Sequence, residues 1–485
     1  MSNLFLFMSD PVTLALLILL FATLFVPAII LTLGKVASLP VHTAPFRTLY
    51  FAWAALLAGS SVWNLSREVR HSINQAGVDN YVRLLFLVVG LMTILFLATR
   101  YRFGFASGLI RGVIGIYFVF ALWGGLSTFW SVYPGSTLYK SFEYLVMVLL
   151  FALSAFMVSE VVRGPSNRML ALKSIFDWNW FLVFASLVMV YVGVAVWPSY
   201  ALMPSKGVLP FSLQGALPAI AANGVGQLSA ILGVVALARL IMGKSRLLYG
   251  PLFVFSVLTM LLAQSRSPIL AFALGALVVM IAGRKFVLLI VSAVLGAGVL
   301  LSAYAGTIYA YMDRGQSTGE LDTLTGRTVF WKASLEAARH RWLTGYGANA
   351  GGRYILDNNL SISDISTVHS TYVETLIDTG VIGSAILLVG LGVVWVSIVK
   401  LRRTAAMSPI SKALWVECLG VMMVLSVRSI FSVVFVWSST VLIFGVVLVF
   451  VTVMGREAGR RRADANNHAA QLLSAQRRRR SGVYR

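Results

Sequence analysis

The sequence predicts an all-α polytopic membrane protein of about 12–13 transmembrane helices with one large hydrophilic loop. Apolar residues fill 59% of the 485 positions and charged residues only 12%, with a mean hydropathy of +0.85. A soluble domain carries about 25% charged residues, so this chain lacks the polar surface to stand in water. Its apolar residues fall in runs of roughly 17 to 22, the length a helix needs to cross ~30 Å of hydrocarbon. They do not alternate with period two, which excludes a β-barrel. Basic residues gather on every second connection, the pattern of cytoplasmic loops.

Taken in order, the first run, Pro11 to Leu33, has no basic residue before it and is too long for a signal-peptide core, so it reads as a retained helix. Further helices are expected near Ala55, Gly90, Ala121, Leu150, Met189, Leu228, Ser256, Gly275 and Leu295. Three more centre near Val389, Met423 and Phe444, the last two separated by a break at Trp437 to Ser439. The basic clusters between them include Lys35 with Arg47, Arg100 with Arg102 and Arg111, Arg163 with Arg168 and Lys173, Arg239 with Lys244 and Arg246, and Lys400 with Arg402 and Arg403. This alternation sets the N-terminus outside and the C-terminus in the cytoplasm. The expected organisation is ten helices over 1–303, a large periplasmic loop over 304–371, three helices over 372–455 and a basic cytoplasmic tail over 456–485. The tail, rich in Arg, Ala, Asn and Gln, cannot bury a core and is expected to be disordered.

The net charge of +22 invites a nucleic-acid partner, but its distribution reports topology instead. In the long loop, acidic and basic residues balance, so that loop owes nothing to topology signalling. The single cysteine, Cys418, excludes a disulfide framework within one chain. Glu320 and Asp322 look like a minimal metal pair, but no second cluster of carboxylates or histidines joins them, and no metal or cofactor is expected.

Loops beyond ~15 residues are usually functional or disordered, and this one contains a helix signal. The stretch DTLTGRTVFWKASLEAARHRW can be capped by Asp322 or Thr325, and Arg327, Trp331, Leu335, Ala338 and Trp342 align as its stripe. Arg327 stands in the first turn, where cations are disfavoured, which points to an outside anion or to a solvated side chain. LTGYGANAGGR follows, a glycine-rich stretch without the GK[ST] of a nucleotide-phosphate loop. In VHSTYVETLIDTGVIG, Thr371 and Glu374 form a capping-box pattern before an apolar run. His369 then lies just ahead of a transmembrane helix, where a base would work at neutral pH.

Arg266, in LLAQSRSPIL, follows one apolar helix and precedes Pro268, which opens another. On the outer side it is not needed for orientation, and a charge at the membrane edge is a functional hypothesis by default. A phosphate would satisfy its guanidinium bidentately. Glu417 and Arg428 share a helix face but lie ~16 Å apart, so Arg428 is expected to meet another helix or a substrate cavity.

SRSPILAF, LTGR-x-x-x-W, GYG and HSTYVETLIDTGVIG, in this order, resemble the O-antigen ligase and polymerase superfamily of Wzy- and WaaL-like membrane glycosyltransferases. LSTFWSVYPGSTLYKSFEYL and AANGVGQLSAIL look like its earlier signatures. The resemblance implies a GT-C-like helical fold with a periplasmic site in the bacterial inner membrane. It implies a glycan donor on undecaprenyl diphosphate, and an acceptor that is another lipid-linked glycan in a polymerase or lipid A-core in a ligase. On this sequence Arg266 and Arg327 would hold the diphosphate, and His369 would activate the acceptor hydroxyl for inverting transfer without a metal. Arg428 and Lys206 are implied as donor contacts, and Tyr372 and Asn349 as contacts to acceptor sugars. The pattern leans towards an exopolysaccharide polymerase. A lipid-linked glycan transporter, the rival of another class, would predict internal repeats, and none is apparent.

Overall fold

The computed structural model describes residues 44–61, 78–110, 112–205, 208–302, 305–313, 327–359 and 367–482. The expected helix near Leu20 lies outside them, as do Lys206, Glu320, Asp322 and Thr325.

The chain is built of helices: α1 Ala44–Ser60, α2 Val78–Arg100, α3 Val113–Leu126, α4 Pro134–Phe156 and α5 Pro165–Val196. After two short antiparallel ribbons, Leu202–Pro204 with Phe211–Leu213 and Gly215–Ala216 with Ala219–Ile220, come α6 Ala222–Ile241, α7 Arg246–Leu262, α8 Arg266–Ala282 and α9 Phe286–Leu300. The loop region contributes α10 Ala305–Asp313, α11 Arg327–Ala338 and α12 Gly351–Asn359. The chain closes with α13 Thr371–Lys400, α14 Pro409–Phe431 and α15 Thr440–Gly482.

Every expected helix centre that falls on described residues lies inside one of these helices, and the break at Trp437 to Ser439 lies between α14 and α15. Among the described residues eight helices are long and apolar enough to cross a membrane, or nine if α9 and the start of α10, bent by 92°, count as one span. The helices α1, α7 and α8 have 17 residues each. At 1.5 Å per residue each reaches about 25 Å, short of a full crossing without tilt or flanking residues. So the protein is an all-α polytopic membrane protein.

The span windows of α14 and α15 are 78% buried against 28% for α2, which puts the last two helices at the centre and α2 at the periphery. Close approach at the centre depends on glycine: a Cβ on Gly445 would lie 2.0 Å from Phe151, so α15 and α4 touch backbone to ring. A buried ion network ties three helices together away from the long loop. Arg239 of α6 meets Asp177 of α5 at 2.7 Å and Glu417 of α14 at 2.9 Å, and the Trp180 indole donates to Glu417 at 3.0 Å. Lys173 of α5 also binds Asp177, so two cations and an indole leave neither carboxylate unpaired, the condition under which buried charges are tolerated.

Two expectations are corrected. After Gly455 the chain continues as helix to Gly482 rather than as a disordered tail, because Ala, Arg, Gln and Leu are strong helix formers. In α11 the buried face is Phe330, Ser334, Ala337 and Ala338, while Leu335 and Trp342 of the expected stripe are exposed. Phe330 and Ala337 join Tyr346, Ile355, Leu356, Val368 and Ile377 in a small core separate from that of the bundle. That core, not the membrane surface, selects the face.

Candidate active site

At the loop end of the bundle, α6, α8 and α14 converge on Arg428. This arginine is 1% exposed, and its Nε donates to Gln227 Oε1 at 3.0 Å. Its terminal nitrogens reach the Ser267 hydroxyl and the Asn223 carbonyl. Gln227 is itself held on Thr440 at 2.8 Å, and Ser265 bonds Asn223. The stretch AANGVGQ thus serves as a polar cradle, and its Gly226 lets α6 press on Pro268, which a Cβ would meet at 2.9 Å. Among the described residues no carboxylate pairs with Arg428. A buried guanidinium with only neutral partners is expensive unless an anion completes it.

Arg266 opens α8 one residue before Ser267, and its Nη2 donates to the Asp313 carbonyl at 3.0 Å. Arg327 opens α11. Burial and the neighbouring charge of Arg266 hold the Arg327 guanidinium below its usual range. The charge of Arg327 acts in turn on Arg428 and on His369. Burial, then Arg327, then Arg428 push the His369 imidazole down to about 4, so it is neutral at physiological pH. Three arginines and one neutral histidine therefore share one electrostatic neighbourhood. The arrangement suits an anion carrying several charges next to a proton acceptor.

His369 sits in the left-handed region, at φ 57°. Such backbone strain in a non-glycine residue persists only where neighbours impose it. Here the preceding residue, Val368, is held at both its backbone groups. Glu374 Oε2 accepts from the Val368 N–H at 2.8 Å, and the Trp331 indole donates to the Val368 carbonyl at 2.9 Å. Trp331 lies one turn after Arg327 on the same face of α11, so the helix that supplies the arginine also fixes the histidine. The expected capping box does not form. The Thr371 hydroxyl instead donates to the Ser432 carbonyl at 2.9 Å and accepts from the Val434 N–H at 2.9 Å, pinning the start of α13 to the break before α15.

The glycine-rich stretch after α11 is built into a membrane helix. Within α13, Gly380 has φ 67° and ψ −170°, which opens the helix. The freed groups pair with the loop: Tyr346 and Gly347 N–H donate to the Ile377 and Asp378 carbonyls at 2.8 Å, and the Val381 N–H donates to the Trp342 carbonyl at 2.8 Å. The buried Asp378 carboxylate accepts from the backbone N–H of Asn349 at 2.9 Å and of Gly351 at 2.8 Å. The segment after α3 braces the turn from the other side, with Trp130 donating to Thr344 and Thr137 to Ala348. STFWSVYPGST is therefore a scaffold for the turn.

Of the sequence-predicted site residues, Arg266, Arg327, Arg428 and His369 come together. Tyr372 lies at the edge of this cluster, its hydroxyl accepting from Ser429 at 2.9 Å. Asn349 belongs to the braced turn, its side chain donating to Ser136 at 3.2 Å, and no contact joins it to the cationic group among the described residues. Asp378, Glu374 and Trp331 were not singled out as site-building residues. An Asp-Thr-Gly triplet inside an otherwise apolar run was the available signal for the first of them.

Residues 251–388, from α7 into α13, match the family model described as O-antigen ligase. This stretch is similar to an O-antigen ligase domain. This bears out the resemblance to the O-antigen ligase and polymerase superfamily and supports a membrane glycosyltransferase of that type. The matched stretch holds Arg266, Arg327, His369, Glu374 and Asp378, while Arg428 and its cradle partner Gln227 lie outside it. Comparison with curated proteins gives no match.

Proposed function

We propose that the protein polymerises undecaprenyl-diphosphate-linked oligosaccharide repeat units of an O-antigen or exopolysaccharide at the periplasmic face of a bacterial inner membrane. The observation that carries this reading is the neutral His369 set among Arg266, Arg327 and Arg428. The arginines would bind the donor diphosphate, most strongly as charge grows on it in the transition state. The acceptor hydroxyl would lose its proton to His369 while its oxygen attacks the anomeric carbon. The bond from that carbon to the diphosphate would break on the opposite face, giving inversion without a metal. Binding the diphosphate offsets the two arginine charges that depress His369, so the donor itself raises the basicity of the base.

The second reading, transfer of finished glycan to lipid A-core, is favoured by the description of the matching family. A strain in which His369→Ala replaces the native chain at equal protein level separates the possibilities. A polymerase leaves single repeat units on their acceptor and no long chains. A ligase leaves long chains on the carrier and none on lipid A-core. Normal surface polymer would overturn both readings.

A further inference from the structure

The turn between α7 and α8, Gln264 to Ser267, reaches different neighbours with four consecutive side chains. Ser265 bonds Asn223 of α6, Arg266 donates to the Asp313 carbonyl at 3.0 Å, and Ser267 accepts from Arg428. Gln264 turns onto the ribbon of Leu202–Pro204 with Phe211–Leu213. Its amide nitrogen donates to the Leu209 carbonyl at 3.2 Å and to the Phe211 carbonyl, and its oxygen accepts from the Ser205 hydroxyl at 3.4 Å. The side chain is thus engaged with three residues of the ribbon and its tip, and the residue is 1% exposed.

The backbone shows what that side chain is for. Gln264 follows the end of α7 at φ 46°, in the left-handed region. Helices commonly close on such a residue, and glycine usually fills it because a Cβ is strained there. A longer residue persists in that conformation only where its surroundings hold it. Those surroundings are folded rather than loose. The Ser205 N–H donates to the Pro210 carbonyl at 2.9 Å, the Gln214 N–H to the Ala201 carbonyl at 2.8 Å, and the Ser212 hydroxyl to the Ala263 carbonyl at 3.0 Å. The ribbon is therefore fixed both within itself and to the turn. Ser265, next in line, is extended at φ −107° and ψ 115°, and Arg266 then opens α8. Two backbone conformations, one of them held by the Gln264 amide, set the direction in which the guanidinium leaves the turn.

We propose that Gln264 is a positioning residue for Arg266: its amide, anchored on the ribbon, holds the left-handed turn that aims the guanidinium at the donor diphosphate. The ribbon thereby acts on the donor site through one side chain. This role rests on the function proposed above, and it requires no contact between Gln264 and substrate.

The test is a double-variant cycle on full-length protein in proteoliposomes, with an undecaprenyl-diphosphate-linked repeat unit as donor and kcat/KM as the readout. Gln264→Gly removes the amide yet suits the left-handed φ, so the turn can still form, and kcat/KM is expected to fall about tenfold or more. Gln264→Met, similar in length but without the hydrogen bonds, should do the same and carries the test if Gln264→Gly folds poorly. Arg266→Gln alone is expected to lose about a hundredfold, the scale of one donor removed from developing charge. Because Gln264 acts through Arg266, adding Gln264→Gly to Arg266→Gln should cost no more than about a further twofold. A merely structural role would multiply the two losses in the double variant. That result, or full activity in Gln264→Gly, overturns the positioning role alone. Wild-type rates in Arg266→Gln would instead sink the function proposed above, and the positioning role with it.

Discussion

Replacing Arg327 by Gln is expected to move the acid limb of the pH–rate profile upward. His369 falls from 6.5 to about 4 through burial, Arg327 and Arg428, in that order and all in one direction. That fall is worth about 3.4 kcal/mol against the imidazolium. As the second of three contributions of one sign, Arg327 supplies less than half of it, under about 1.7 kcal/mol. The cationic form of His369 is disfavoured by a positive neighbour, so removing that neighbour raises the pKa. The limb of kcat/KM, which reports free enzyme, should therefore lie near pH 4 in wild type and rise by up to about one pH unit in Arg327→Gln. Arg327→Lys keeps the charge and should leave the limb in place even if the rate drops. Because bound diphosphate offsets the arginines, the limb of kcat should lie above that of kcat/KM in wild type. The assay is transfer from a lipid-linked repeat unit by purified protein in proteoliposomes, followed from pH 3.5 upward at saturating and subsaturating donor. An acid limb near 6.5 in wild type, or one unmoved by Arg327→Gln, would refute the electrostatic argument.

Three further outcomes follow from the same geometry. Glu374→Ala removes the acceptor of the Val368 N–H and should lower kcat by about tenfold or more through a misplaced His369, whereas Glu374→Gln offers an amide oxygen to the same N–H and should retain most activity; equal losses would mean that charge, not this hydrogen bond, matters. Gly380→Ala places a Cβ 2.1 Å from the Leu343 carbonyl oxygen at a left-handed φ, and should cost more than about 3 kcal/mol, read as a lower thermal unfolding midpoint in detergent. Asp378→Asn turns an NH2 towards backbone N–H donors on one side of the carboxylate and should cost about 1–3 kcal/mol in the same measurement, so an unchanged midpoint would show that the turn is held without it.

Helix positions were legible because bilayer thickness writes itself into apolar run length. The cationic residues were legible for a related reason. A charge such as Arg266 or Arg428 stands out against an apolar background, and only function or a buried partner accounts for it. Glu417 turned out to have the buried partner, Arg239, 178 positions away, which no local pattern announces. The buried face of α11 was misjudged because Leu335 and Trp342 are more apolar than Ser334 and Ala337. The small core under that helix rewards shape over hydropathy. Thr371 and Glu374 matched a capping box by spacing, but Thr371 found distant partners in Ser432 and Val434, and Glu374 reached back past the helix start to Val368. Local motifs predict local bonds only where tertiary structure makes no competing offer.

The break in α13 has a consequence for biosynthesis. The braced turn draws hydrogen bonds from residues near 130, from the stretch around 342–352 and from α13, and the start of α13 is pinned by Ser432 and Val434. Arg428, too, arrives only with α14. The turn therefore cannot close until α13 has been made, and the pinning of that helix and the arrival of Arg428 wait for α14 and the segment after it. A chain that ends before α14 lacks Arg428 and the anchor of Thr371 on Ser432 and Val434. On the proposed function, competence comes late, and an unfinished chain in the membrane lacks a complete site for a carrier lipid.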